Sequence, residues 1–282
     1  MKLVRFGNIG AEKPGILDGE GQLRDLSSVV DDIAGDVISP EGLDRLRGLD
    51  LKTLPLVEGL PRIGACVGRV GKFICIGLNY ADHAAEAGMP VPAEPVIFMK
   101  ATSALCGPDD TVLIPRNSTK TDWEVELGVV VGKAGKYIDQ ANAMDHVAGY
   151  CVINDVSERE WQLERGGTWD KGKGFDTFGP IGPWLVTKDE IADPHDLAMW
   201  LDVDSHRYQN GSTKTMVFGV PELISYVSRC MSLQPGDIIS TGTPPGVGMG
   251  QKPPLYLQGG ETIRLGIEGL GVQCQKVGHE PQ

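Results

Sequence analysis

The sequence predicts an α+β fold that is mostly β. Three observations carry that expectation: short apolar segments with a period of two dominate the chain, one long apolar run reads as a strand buried on both faces, and helical stretches are few and short. Gly and Pro, 38 and 19 of 282 residues, are frequent enough for many turns but fall below the roughly 25–30% that marks disorder. A chain of this length can bury a substantial core in one large domain or a large domain with a small companion.

Residues 1–50 read as short strands and turns, with a hairpin around Gly15 to Leu23 whose turn carries Asp18-Gly19. The proline-containing stretch Leu51–Pro61 separates them from a fresh buried strand at Lys72–Gly77, so a boundary is placed at residue 65: a small β-rich domain over 1–65 and a catalytic domain over 66–282. Further on, Trp123, Val125, Leu127, Val129 and Val131 alternate with Asp122, Glu124 and Glu126, which predicts a strand with an apolar inner face and an acidic outer face. Val147–Ile153 is the nearly continuous apolar run, and it ends in Asn154-Asp155. Ser157 and Glu160 have the spacing of a capping box, predicting a helix to about Arg165, where Gly166-Gly167 follow. Leu223, Ile224, Val227, Cys230 and Met231 give a second helix its core face, with Pro221 at its start and Pro235-Gly236 beyond its end.

Charge narrows the partners. With 26 basic against 38 acidic residues the chain carries −12 and has no Lys/Arg cluster, so nucleic acid is not expected as a partner. The start lacks an apolar signal segment and no run of 18 apolar residues occurs, so no membrane is expected and the cytoplasm is. The six cysteines are scattered without a C-x-x-C pair and are expected to be ordinary buried thiols.

The acidic strand is also where chemistry first shows. Same-face residues on a strand stand roughly 6.6 Å apart, so Glu124 and Glu126 converge on a small volume. Alone, that reads rather as a solvated outer face. Asp155, at the end of a buried strand, is a third carboxylate, and three carboxylates suit a hard divalent ion, Mg²⁺ or Mn²⁺, better than zinc. In GLNYADHAAE (77–86), His83 and Glu86 fall on one face of a short helix, where the carboxylate can orient the imidazole to activate a water; a surface pair is the plain alternative. Lys173 is flanked by Gly172 and Gly174 and can approach an anion, and the Ser240–Gly248 loop offers N–H and hydroxyl groups to a carboxylate. No Gly-rich segment fits a nucleotide-binding motif.

Taken together, GLNYADHAAE, DWEVELGVVVG, the run ending in NDVSEREWQ, KGKGFDTFGPIGPW, QNGSTKTMVFGVPELISYVS and LQPGDIISTGTPPGVG resemble, in order and spacing, the fumarylacetoacetate hydrolase family over residues 70 to 275. The resemblance implies a mixed β-sandwich or roll of the fumarylacetoacetase C-terminal-domain type, with a small N-terminal domain and a homodimeric assembly. It implies Glu124, Glu126 and Asp155 as Mg²⁺ or Mn²⁺ ligands, His83 and Glu86 as the water-activating dyad on a lid helix, and Lys173 as the group that stabilises negative charge. Arg159, Gln162 and Thr243 match the family's substrate contacts. The implied reaction is hydrolysis of a C–C bond in a 2,4-dioxo acid, giving pyruvate and a carboxylic acid. The Arg165–Gly174 stretch and the tail from Gly250 resemble a subgroup acting on 2,4-diketo-3-deoxy sugar acids, the rhamnonate and fuconate derivatives; similar sequences are also labelled ureidoglycolate lyases. Oxaloacetate decarboxylation and 2-oxopentenoate hydration or isomerisation use the same enolate logic, and a non-enzymatic cation-binding β-protein is the distant alternative. One departure is Asp204-Ser205, where the family often has a Gly in a tight turn; Ser205 is expected to fit that turn less well.

Overall fold

The computed structural model describes residues 1–86 and 88–281, so Ala87, next to the predicted lid helix, lies outside the described residues. A ten-stranded mixed sheet forms the spine. Its path runs β3 (Leu23–Asp25), β2 (Lys13–Leu17), β1 (Lys2–Phe6), β12 (Gly179–Thr187), β10 (Val147–Asn154), β9 (Val125–Val131), β15 (Ile238–Ser240), β4 (Phe73–Gly77) and β5 (Val96–Lys100), with β6 (Leu105–Cys106) paired to β12. A five-stranded sheet packs against it in the order β14 (His206–Ser212), β13 (Ala198–Val203), β16 (Thr262–Ile267), β17 (Gly271–His279) and β7 (Val112–Ile114). A short ribbon joins β8 (Thr121–Asp122) to β11 (Ser157–Glu158). The helices are α1 (Pro40–Arg47), α2 (Ala81–Glu86), α3 (Asp170–Lys173) and α4 (Val220–Cys230). The fold is therefore mostly β, as the periodicities predict.

Two apolar layers sandwich β9. Val125, Leu127, Val129 and Val131 pack toward the second sheet and α4, with Met199, Leu201, Ile263 and Leu265. Val130, with Cys151 and Ile153 of β10, packs on the opposite side against Leu3, Ile16, Leu43 and Leu46 from the N-terminal segment. The alternation predicted for this strand is present, but both faces are buried, so the acidic face is internal. Burying several carboxylates is tolerable only where cations and donors meet them, which decides the geometry of the site.

The segment 1–65 joins the main sheet through β1, paired with β12, and its predicted hairpin is β2 and β3. It also holds α1, which the reading of 1–50 as strands and turns overlooked. Ser39 caps that helix by accepting from Gly42 N–H, Pro40 opens it, and Arg45 and Arg47 sit in its last turn.

Three other expectations change. Residues 157–158 are a strand, so the capping-box helix does not form: the Ser157 hydroxyl donates to Asp155 O, and a π-helical turn over Glu160–Glu164 follows instead. Cys230 and Cys274 are exposed rather than buried, Cys230 because α4 ends there and leaves the core after Ser228. In the 204–205 turn the left-handed residue is Asp204, with φ +54°, and its carboxylate accepts from Thr262 N–H; Ser205 bears no such strain.

Candidate active site

β9 and β10 pair so that Ile153 faces Glu126 and Asn154 faces Val125; one residue further, Asp155 N–H donates to Glu124 O at 2.9 Å. That register puts Glu124, Glu126 and Asp155 on the same face, and carboxylate oxygens of the three lie within 4.8 Å of one another, all buried. The sequence-predicted triad is therefore assembled from two neighbouring strands.

Distant cations compensate it. Lys173 Nζ sits 2.7 Å from both Glu124 and Asp155, delivered by α3, whose Gly172 packs so tightly that a Cβ would lie 2.5 Å from Glu158 O. Arg159 follows β11 and donates to Glu124 at 2.7 Å, to Asp122 at 2.8 Å and to Gln162 Oε1 at 3.0 Å. Lys100, the last residue of β5, is fully buried and donates to Asp155 and to Val156 O. Burial opposes ionisation of Glu124, yet Lys173 and Arg159 hold its carboxyl well below the usual range. Lys173 is raised in turn, because Asp155 and Glu124 outweigh its own burial. Glu126 differs. Burial first, then Asp155 and Glu124, push it well above its ordinary value, and its direct donors are neutral: Ser240 Oγ at 2.6 Å and Gly242 N–H at 2.9 Å.

The donor set fits a divalent ion. Three buried carboxylates converge, all donors are oxygen, and Glu126 lacks a cation of its own, a donor set that suits a hard divalent cation.

Above the carboxylates lies a cavity of about 240 Å³. Glu124, Glu126, His83, Arg159, Gln162, Lys173 and Thr243 all reach it; Glu86 and Asp155 stand behind. His83 Nδ1 is 3.0 Å from Glu86 Oε2, and since a carboxylate only accepts, Nδ1 carries a proton, so in the neutral ring Nε2 is the nitrogen open to a water. Glu86 Oε1 accepts from Gly246 N–H, which ties α2 to the loop after β15. Thr243 spends its hydroxyl on Val125 O and Gln209, so it offers the cavity its methyl and backbone. The loop expected to clamp a carboxylate does so, but the carboxylates are the protein's own: Glu126 at Gly242, Glu86 at Gly246, Asp122 at Gly248 and Met249.

Lys100 and Asp122 were not singled out from sequence for the parts they take in this network. A lysine closing an otherwise apolar strand, VIFMK, was the available signal for the first. Leu78, at φ +54° on the cavity rim, is a second, since a bulky residue held left-handed marks a constrained site.

A mostly β fold of two packed sheets with an internal acidic cavity at the ends of the central strands defines the fumarylacetoacetase-like class of enzymes. The profile described as fumarylacetoacetate (FAA) hydrolase C-terminal matches residues 72–278. The chain belongs to the fumarylacetoacetate hydrolase family. A Burkholderia multivorans (strain ATCC 17616 / 249) protein named "Putative hydrolase" is 71% identical over 276 residues, 98% of both chains. Among solved structures, the fumarylacetoacetate hydrolase of Exiguobacterium antarcticum is 36% identical with TM-score 0.85, covering 99% of this chain and 100% of that one. The 2-hydroxyhepta-2,4-diene-1,7-dioate isomerase of Mycobacterium marinum is 31% identical with TM-score 0.75, covering all of both. The maleylpyruvate hydrolase of Sphingobium sp. SYK-6, in complex with manganese(II) ion and pyruvate, is 29% identical with TM-score 0.82, again covering all of both. Among the described residues no helix is long and apolar enough to cross a membrane.

Proposed function

We propose that this enzyme hydrolyses a C–C bond of a 2,4-dioxo acid to pyruvate and a carboxylic acid, with Mg²⁺ or Mn²⁺ held by Glu124, Glu126 and Asp155. The observation that supports it is the meeting, at one cavity, of Glu124 and Glu126, with Asp155 directly behind them, a free imidazole nitrogen and a buried ammonium. Charge agrees with a monoanionic substrate. Once a bound ion draws the proton from Glu126, four buried carboxylates, Asp122, Glu124, Glu126 and Asp155, face three buried cations, Lys100, Arg159 and Lys173, leaving one negative charge on the side chains. A divalent ion and one substrate carboxylate bring the total to zero.

When bound, the ion supplies Lewis-acid polarisation of the 2-oxo acid oxygens. Arg159 and Gln162 orient the acid. His83 Nε2 takes a proton from water, which adds to the 4-carbonyl; Glu86 keeps the ring in the required tautomer. The bond between carbons 3 and 4 breaks, its electron pair passing to the pyruvate fragment, where Lys173 stabilises the developing charge. The proton held by His83 returns to carbon 3, so atoms and charge balance.

The subgroup resemblance favours a 2,4-diketo-3-deoxy sugar acid. A second reading is favoured by the walls: Ile76, Leu78, Phe98, Leu163, Trp169 and Met249 are apolar and suit an acyl tail without hydroxyls. A mass-spectrometric product assay with Mn²⁺ on acylpyruvates, diketo-deoxy sugar acids, oxaloacetate, a 2-oxopentenoate and ureidoglycolate tests both. Pyruvate plus a carboxylic acid, lost with EDTA, is expected. Carbon dioxide from oxaloacetate alone, glyoxylate from ureidoglycolate alone, or an isomer of unchanged mass would overturn the hydrolytic step. The homodimer implied by the family resemblance is checked by sedimentation velocity.

A further inference from the structure

The strand that carries Glu124 is broken where it matters. β8 ends at Asp122 and β9 begins at Val125, so Trp123 and Glu124 belong to neither ladder. Backbone groups at such a break must find partners elsewhere or cost free energy when buried. Here Glu124 O accepts from Asp155 N–H, and the N–H groups find side chains. Glu124 N–H donates to Asn154 Oδ1 at 3.2 Å, and Val125 N–H donates to Gln209 Oε1 at 2.9 Å. Successive N–H groups in extended chain point to opposite sides, so two amides grip the break from two directions.

Both amides are anchored in turn, and all are fully buried. Gln209, on β14, donates to Thr243 Oγ1 and Pro244 O, each at 2.8 Å. Asn154 Nδ2 donates to Gln275 Oε1 at 3.1 Å; Gln275 donates to Gln273 Oε1 at 2.8 Å; Gln273 donates to Val152 O at 2.8 Å. Gln273 and Gln275 stand two apart on β17, hence on one face of the second sheet. Every carbonyl in the chain accepts and every amino group donates, so no amide can flip without leaving a buried group unpaired.

We infer that the second sheet positions the Glu124 carboxylate through these two arms, Gln209 on one side and Asn154 backed by Gln275 and Gln273 on the other. None of the four amides belongs to the carboxylate triad, and none lines the cavity. They act by fixing the main chain from which Glu124 projects, as outer groups fix metal-ligating side chains elsewhere. The inference rests on Glu124 holding the ion.

The test is Mn²⁺ titration calorimetry on the intact chain, comparing wild type with Gln209→Met, Gln275→Met and the control Leu223→Ala, a core truncation on α4. Loss of an outer positioning group typically weakens metal binding about 10- to 100-fold, so both Gln variants should raise Kd at least about tenfold. Leu223→Ala should lower the melting temperature yet keep Kd within about twofold. Unchanged Kd in both Gln variants, or an equal rise in Leu223→Ala, overturns the inference while wild-type binding keeps the proposed metal site. Wild type that binds no Mn²⁺ overturns both. Should Gln209→Met fail to fold, Gln275→Met, which touches neither Glu124 nor the cavity, decides alone.

Discussion

At the residue scale, one imidazole orientation carries the proposed chemistry, and Glu86 sets it from outside the cavity. Replacing His83 by Ala removes the free Nε2 and should lower kcat by about 10²–10⁴ with the fold intact. Glu86→Gln keeps an oxygen for Gly246 N–H but presents an amino group or a weaker acceptor to Nδ1; kcat should fall between wild type and His83→Ala, at unchanged melting temperature. Steady-state kinetics beside thermal melts check both, and full activity in His83→Ala would sink the water-activating assignment. Lys100 is the opposite kind of residue, buried beyond the cavity wall and bonded to Asp155. Lys100→Met leaves an Asp155 oxygen without its cation, and urea unfolding should register a loss of about 3 kcal/mol.

At the element scale, the loop from Ser240 to Met249 matters most, because three internal carboxylates hang on its N–H groups. Gly246 shows why such a loop needs glycine. Its φ is +109°, and a Cβ there would lie 1.9 Å from Tyr208 O, a backbone atom that cannot swing aside. Gly246→Ala should therefore cost at least about 1–3 kcal/mol in urea unfolding and loosen Glu86 from the loop, lowering kcat as well. Much of this level was legible from sequence. The period of two found β9, the unbroken apolar run found β10 with Asp155 at its end, and a 3.6-residue spacing found α4. What stayed hidden were pairings between distant segments. The β8–β11 ribbon overrode a local capping-box signal, since two ladder residues outbid an isolated helix turn. Whether the acidic face met water or protein depended on Lys100, Arg159 and Lys173, which no local spacing connects to Glu124. The amides on β14 and β17 were invisible for the same reason.

At the scale of the whole molecule, the segment 1–65 and the rest share one sheet, and surface ion pairs reinforce the seam. The division at 65 stands as a proposal about units of sequence, with β1 laid on β12 and α1 reaching across to the turn after it. There Arg47 donates to Asp189 at 2.8 Å. Burial opposes ionisation of Asp189, but hydrogen bonds from Thr187 and Arg47 overcome it and hold the carboxyl down at about 2. A folded-state value below the unfolded one stabilises the protein above the unfolded value, and that stabilisation is lost as pH falls toward about 2. Both side chains are substantially exposed, so the contribution at neutral pH is at most about 1 kcal/mol. Wild type should accordingly melt slightly higher than Asp189→Asn at pH 6, and the gap should close as the melts are repeated from pH 4 down to pH 2. A gap that stays constant to pH 2 would mean that the carboxylate's charge contributes nothing to the seam, which the β1–β12 pairing and the apolar contacts of the N-terminal segment then hold.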